Sequence, residues 1–351
     1  DDYNQAIKIN PNYAQAYNNR GNVRDDLGDK QGAIDDFNQA IKINPNYAQA
    51  YYNRGNVRDD LGDKQGAIDD YNLAIKINPN DALAYYNRGF VRNELGDKQG
   101  AIDDYNLAIK INPNLAQAYN NRGIVRNELG DKQGAIDDYN QAIKINPNYA
   151  PAYNNRGIVR KELGDKQGAI DDYNQAIKIN PNYAPAYYNR GNVRNELGDK
   201  QGAIDDYTQV IKINPNLALA YSNRGFVYHQ QGNYIAAISE YNQAIAKDAN
   251  SLAAVNNIGL IKYEQGDKET AIKQWQKAMK IDNKSAEPIL ALAVALYTKG
   301  EQQQAYQLAE TALKLDKNFA DTNFLKKNLW GDKIIADAQK LLSTLPRKLQ
   351  Q

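Results

Sequence analysis

The stretch Tyr17-Asn-Asn-Arg-Gly-Asn-Val-Arg-Asp-Asp-Leu-Gly-Asp-Lys-Gln-Gly-Ala-Ile-Asp-Asp-Phe-Asn-Gln-Ala-Ile-Lys-Ile-Asn-Pro45 returns almost unchanged along the chain, and its reading decides the fold. The glycine after its first arginine recurs as Gly21, Gly55, Gly89, Gly123, Gly157, Gly191, Gly225 and Gly259, always 34 residues apart. A fixed period of that length marks a repeat architecture. Within one period, Asn46 is expected to cap a helix that starts at Tyr47, with Gln49 completing a near capping box. Gly62 is placed to end that helix in the left-handed conformation, and Asp63 to cap the next. In the second helix Ala67, Ile68, Tyr71, Ala74 and Ile75 form one apolar stripe, and Asn78-Pro79 forces the chain to turn. Each unit therefore reads as a helical hairpin.

An aromatic at Tyr51, Gly55, Leu61-Gly62, Ala67, a second aromatic at Tyr71, Ala74 and Pro79 together resemble the tetratricopeptide repeat. The signature recurs through roughly 14–285 and weakens through 286–319. The resemblance implies an all-α, right-handed superhelical solenoid of antiparallel helix pairs. Residues 1–13 match the second helix of a truncated repeat, 14–319 hold nine units of 34 residues, the last divergent, and 320–351 are expected to form C-terminal capping helices. No methionine precedes Asp1, and the expectation is a fragment cut in mid-repeat. Asp321 to Trp330 reads as one helix, and Ile334, Ile335, Ala338, Leu341, Leu342 and Leu345 mark a second, amphipathic one covering the last hairpin, with fraying from Pro346 onward.

A solenoid grows linearly, so a length of 351 requires no boundary between globular domains. With 43 basic and 42 acidic residues the formal charge is +1, which supplies no field for nucleic acid or an anionic membrane. There is no cysteine, and the apolar run Ile289 to Tyr297 is too short to span a bilayer. A cytoplasmic compartment is the expectation. His229 is the sole histidine, so no triad or multi-histidine metal site can be assembled; it reads as a helix-surface residue. The neighbouring carboxylates Asp69 and Asp70 diverge on a helix, and Gly62-Asp-Lys-Gln-Gly66 lacks the ending of a phosphate loop. No catalytic residue, metal or cofactor is expected.

Two series stand out. Arg20/Arg24 recur as Arg54/Arg58, Arg88/Arg92, Arg122/Arg126, Arg156/Arg160 and Arg190/Arg194. Their guanidiniums are expected to bond Asp69/Asp70-type carboxylates, the competing reading being an anion-binding stripe. Asn19, Asn53, Asn87, Asn121, Asn155, Asn189, Asn223 and Asn257 form an unbroken second series that ends at Ala291. It resembles the asparagine ladder of the O-linked N-acetylglucosamine transferase repeats, which implies amides holding the backbone of an extended peptide. The alternative is an asparagine that fills a contact between repeats. Tyr52, Tyr86, Phe90, Ile124, Tyr188 and Phe226 flank the ladder and could take ligand side chains. Asn18 and Tyr52 stand where a carboxylate clamp would need lysine. The functional expectation is a non-catalytic scaffold for a protein or extended peptide. Two alternatives remain: the regulatory or targeting region of a larger enzyme, and a module that self-associates head to tail. The wording of the repeats resembles bacterial arrays.

Overall fold

The computed structural model describes residues 2–345; the expected fraying from Pro346 lies outside them. Among the described residues there are helices and turns and no strand. The chain forms two compact units, Asp1–Pro181 and Asn182–Gln351. The first begins with α1 (Asp2–Ile9), followed by five hairpins: α2 and α3 (Ala14–Asp26, Lys30–Ile43), α4 and α5 (Ala48–Asp60, Lys64–Ile77), α6 and α7 (Ala82–Glu94, Lys98–Ile111), α8 and α9 (Ala116–Glu128, Lys132–Ile145), and α10 and α11 (Ala150–Glu162, Lys166–Ile179). The second holds α12 and α13 (Ala184–Glu196, Lys200–Ile213), α14 and α15 (Ala218–Gln230, Tyr234–Lys247), α16 and α17 (Leu252–Glu264, Lys268–Ile281), and α18 and α19 (Ala286–Lys299, Gln302–Leu315). A 3-10 turn (Lys317–Ala320), the short α20 (Thr322–Lys327) and α21 (Asp332–Ser343) complete it.

The turn inside each hairpin follows the sequence closely. Gly62 has φ +84°, its N–H donates to Asp59 O at 2.9 Å, and the Asp63 N–H donates to Arg58 O at 2.9 Å. This is the double bond pattern that closes a helix on a left-handed residue. The Asp63 carboxylate then accepts from Gly66 N at 3.0 Å and starts the second helix. At the other junction the expectation fails. The first helix is capped at Tyr47 without a side-chain bond. The Asn44 side chain instead accepts from Asn46 N at 3.1 Å, and Gln49 turns to Asn53. The short amide stabilises the turn before the helix because it sits two residues upstream of an N–H that the proline-broken chain leaves open.

Within a hairpin the two helices approach at the recurring glycine. A Cβ on Gly55 would lie 2.8 Å from Tyr71 Cε1, so the tyrosine ring packs where any other residue would collide. Ala67, Tyr71 and Ala74 are fully buried by this approach, and Val91 from the next hairpin closes the same cluster. Consecutive first helices touch one another from α2 to α10 in the first unit and from α14 to α18 in the second, and so share one face within each run.

The C-terminal part departs from its expected form. Asp321 to Trp330 is not one helix: α20 stops at Lys327, and Leu329 takes φ +64°, reversing the chain before Trp330. Helix α21 lies on the first helices α16 and α18. Ile334, Ile335, Ala338, Leu341, Leu342 and Leu345 join Leu260, Leu290 and Val294 in one core. Its N-terminus is capped from α16, where Glu264 accepts from Ile334 N at 2.9 Å and Lys333 N at 3.3 Å. Thus the first-helix face, open in earlier repeats, is covered in the last two by the chain itself.

Candidate functional site on the first-helix face

The arginines of the first helices tie this face to the second helices. Arg88 donates from Nε and Nη2 to Asp104 at 2.9 and 2.5 Å, from Nη1 to Asn72 at 2.6 Å, and lies 5.4 Å from the centre of the Tyr85 ring. Arg92 donates to the same Asp104 at 2.9 Å and to the Gly100 carbonyl. The arrangement repeats at Arg54 and Arg58 on Asp70, and at Arg122 and Arg126 on Asp138. Each fork thus binds the second helix of its own hairpin and of the one before. Only one acid of each expected pair takes part: Asp70 is buried, whereas Asp69 is exposed and accepts from Gln65. With both edges of the guanidinium engaged and its face on a tyrosine, the series is a structural clamp. Lysines add a staple, Lys30 to Asp60 and Lys64 to Glu94, both at 2.5 Å.

The asparagines bridge repeats as well. Asn53 Nδ2 donates to Asn18 Oδ1 at 3.0 Å, Asn87 Nδ2 to the Tyr52 hydroxyl at 3.0 Å, Asn121 Nδ2 to the Tyr86 hydroxyl at 3.0 Å and Asn155 Nδ2 to Asn120 Oδ1 at 3.0 Å. In the second unit Asn223 donates to the Tyr188 hydroxyl at 3.1 Å, and Asn257 turns to the Tyr241 hydroxyl at 3.1 Å. Except at Asn257, whose acceptor lies on the second helix α15, the residue receiving the bond stands just before the ladder position of the preceding repeat. It is asparagine or tyrosine at every bridge, the two side chains there that offer an oxygen at the needed reach. The ladder is therefore anchored through its N–H groups. Its carbonyl oxygens retain lone pairs, even where they already accept from a neighbour, as Asn19, Asn121 and Asn155 do from Asn18, Asn120 and Asn154. Asn189 lies at the same position on α12.

Beside the ladder the face is half apolar. Tyr52, Tyr86 and Tyr188 are half-buried and tilt against Tyr71, Tyr105 and Tyr207 with centroids 6.1, 6.0 and 6.1 Å apart. Burial raises the Tyr52 and Tyr86 phenols above their ordinary value, so each stays a neutral hydrogen-bonding group. Phe90 is 40 % exposed. With Asn56, Asp59, Tyr71, Tyr86 and Asn87 it lines a cavity of about 300 Å³. Ile124 and Ile158 line a smaller one of about 130 Å³ with Tyr139 and Asn155. In the second unit Phe226 borders a cavity with Asn256, Asn257 and Glu287, while Tyr188 and Asn189 line another with Pro185 and Leu217. The sequence reading missed Asn256, Glu287 and Trp330. Glu287 replaces the glutamine or apolar residue of the other repeats, which is a visible but isolated signal.

His229 is not a surface residue. It is 7 % exposed and packs edge-on against Tyr234 and Tyr241, at 5.5 and 6.4 Å. Desolvation pushes its pKa down from 6.5 to about 4. The folded state thus binds fewer protons than the unfolded one, and stability is complete above pH 6.5 and lost as pH falls toward 4. The loss attributable to this ring is roughly 3 kcal/mol. Urea denaturation of the native chain and a His229→Phe variant at pH 7 and pH 4 should differ by that amount in their pH dependence; equal slopes would refute the assignment.

Among the described residues no helix is long and apolar enough to cross a membrane. The tetratricopeptide repeat family matches at 14–47, 48–81, 82–115, 116–149 and 138–171, and a TPR repeat model at 159–198, 191–232, 227–266 and 259–300. No curated protein matches. Among solved structures, a tetratricopeptide repeat protein from Parabacteroides merdae is 18% identical with a TM-score of 0.54, covering 76% of this chain and 98% of its own. Pseudomonas aeruginosa pilF is 17% identical with a TM-score of 0.53, covering 59% and 94%. YrrB, described as a TPR protein with an unusual peptide-binding site, is 22% identical with a TM-score of 0.45, covering 53% and 96%.

Proposed function

Because the chain belongs to the tetratricopeptide repeat family, we propose that it is a non-catalytic scaffold that holds an extended peptide of a partner protein along its first-helix face. The observation that carries this reading is a row of half-exposed aromatic and aliphatic side chains, Tyr86, Phe90 and Ile124 foremost, set beside amides already fixed by bridges between repeats. Fixed amides lose little entropy when a ligand arrives. Each of these amides spends an N–H on its bridge and keeps an Oδ1 lone pair, so the ladder grips a peptide by accepting its backbone N–H groups at Oδ1. The apolar depressions then discriminate among side chains. Each accepted bond is worth about 0.5–1.5 kcal/mol, so several must act together.

Fluorescence anisotropy with a library of unstructured peptides tests this. A triple variant Asn87→Ala, Asn121→Ala, Asn155→Ala should bind about tenfold more weakly or worse across sequences. The triple aspartate variant, which keeps the oxygens and loses the N–H groups, should bind far better than the alanine one. Circular dichroism verifies that both are folded. Equal binding by the native chain and the folded alanine variant would reduce the ladder to a structural device.

A further inference from the structure

The asparagine ladder leaves a defect where it stops. In the first unit the oxygen of Asn18 accepts from Asn53 of the next repeat, and that of Asn120 from Asn155. Asn256 is the equivalent residue of α16. The position that should donate to it is Ala291, a side chain with no N–H. Asn256 is 2 % exposed, and its Oδ1 is buried without a hydrogen-bond partner. An unpaired buried amide oxygen costs about 1–3 kcal/mol, so this acceptor is short of a donor by construction.

Beside it stands a carboxylate short of a cation. Glu287, half-buried in the first turn of α18, accepts from Trp330 Nε1 at 3.1 Å and forms no ion pair among the described residues. Burial pushes its pKa up to about 7, with the Trp330 N–H and the Asn256 amide opposing that rise. Asn256 and Glu287 share a cavity of about 240 Å³ with Asn257, and its walls include Phe226, Leu252 and Pro288. A negative group and an unused acceptor in an apolar-walled cavity call for a small positive group with several N–H donors and an aliphatic stem.

We propose that this cavity binds a primary ammonium group, the side chain of a lysine or the N-terminal amine of a peptide. One N–H bonds the Glu287 carboxylate, another takes the place of the missing ladder amide on Asn256 Oδ1, and the stem lies against Phe226 and Leu252. For the source of the amine the proposal rests on the peptide-scaffold reading. The site is where the open first-helix face meets the part covered by α20 and α21, so it would fix one end of a bound segment.

The native chain has two tryptophans, Trp275 and Trp330, and the indole N–H resonance of Trp330 reports directly on Glu287. Nα-acetyl-lysine methylamide and its neutral counterpart Nα-acetyl-norleucine methylamide are titrated in one arm. Alanyl-alanine amide and its N-acetylated form are titrated in the other. The expected result is a saturable shift of the Trp330 resonance with one or both amines, none with the neutral partners, and at least tenfold weaker binding in Glu287→Gln and Asn256→Ala. The arm that responds identifies lysine or N-terminus as the source. No response to either amine, equal response to the neutral compounds, or unchanged affinity in a folded variant would overturn the proposal. Circular dichroism identifies a variant that fails to fold, and the other then decides. N-acetylated, lysine-free peptides that bind the native chain while both amines leave Trp330 unmoved would refute the ammonium site and keep the scaffold; amines that bind when no peptide does would do the reverse.

Discussion

Replacing Asp104 with alanine should cost about 3–5 kcal/mol, because it strips the partner from two arginines at once. Asp104 is 1 % exposed, and the Arg88 side chain beside it is 13 % exposed, so neither water nor another carboxylate takes its place. Arg92, at 27 %, can reach solvent and recovers part of its loss. A repeat array couples mainly to nearest neighbours, so the damage should be local. Hydrogen exchange should show protection falling first in α6 and α7, and urea denaturation should broaden or split rather than shift as a whole. The paired substitution Arg88→Met with Asp104→Leu tests the cause: apolar side chains of similar volume should restore most of the loss. A single Asp104→Ala cost below about 1 kcal/mol would show that the clamp contributes geometry without stability.

The second large effect concerns α21. Ile334 and Leu341 are fully buried against α16 and α18, and truncating a buried leucine or isoleucine costs about 2–5 kcal/mol. A helix of 12 residues held by one apolar face cannot absorb two such losses. The double variant Ile334→Ala, Leu341→Ala is therefore expected to release α21 while α2–α15 stay folded. Released, it would bare Leu260, Leu290 and Val294, which an apolar dye such as ANS would report. Unchanged exchange protection in α21 with no dye binding would contradict this.

Much of this was legible in the residues because a repeat states the same rule many times over. Gly62 and Pro79 act through backbone conformation and Asp63 through a cap on Gly66 three residues away; all three are local, so the hairpin and its turn follow from sequence. The misreadings lie where a side chain had alternatives. Asn46 could have capped α4, but Asn44 reached the turn first. His229 sits at a position that carries lysine in one repeat and tyrosine in another, so its burial depends on Tyr234 and Tyr241 across the hairpin rather than on its own helix. The asparagine series was visible as a pattern. Its bridging bonds span 35 residues in sequence, and nothing local states that separation except the alternation of Asn18, Tyr52, Tyr86 and Asn120 at the receiving position. The defect at Asn256 follows only when that bridge is known and Ala291 is seen to break it.

The bridges of Arg122 carry a consequence for how such a gene can change. Arg122 reaches back to Asn106 and forward to Asp138, Asn121 reaches back to Tyr86, and Lys98 reaches forward to Glu128. Excise 82–115 in frame, and Arg122 meets Asn72, Asn121 meets Tyr52, and Lys64 meets Glu128: the same chemistry at the same separations. Copy number is thus neutral to the bonds that join one unit to the next. Unequal crossing-over between near-identical repeats could lengthen or shorten the array without opening a single joint, leaving the reach of the molecule free to drift while its seams stay closed.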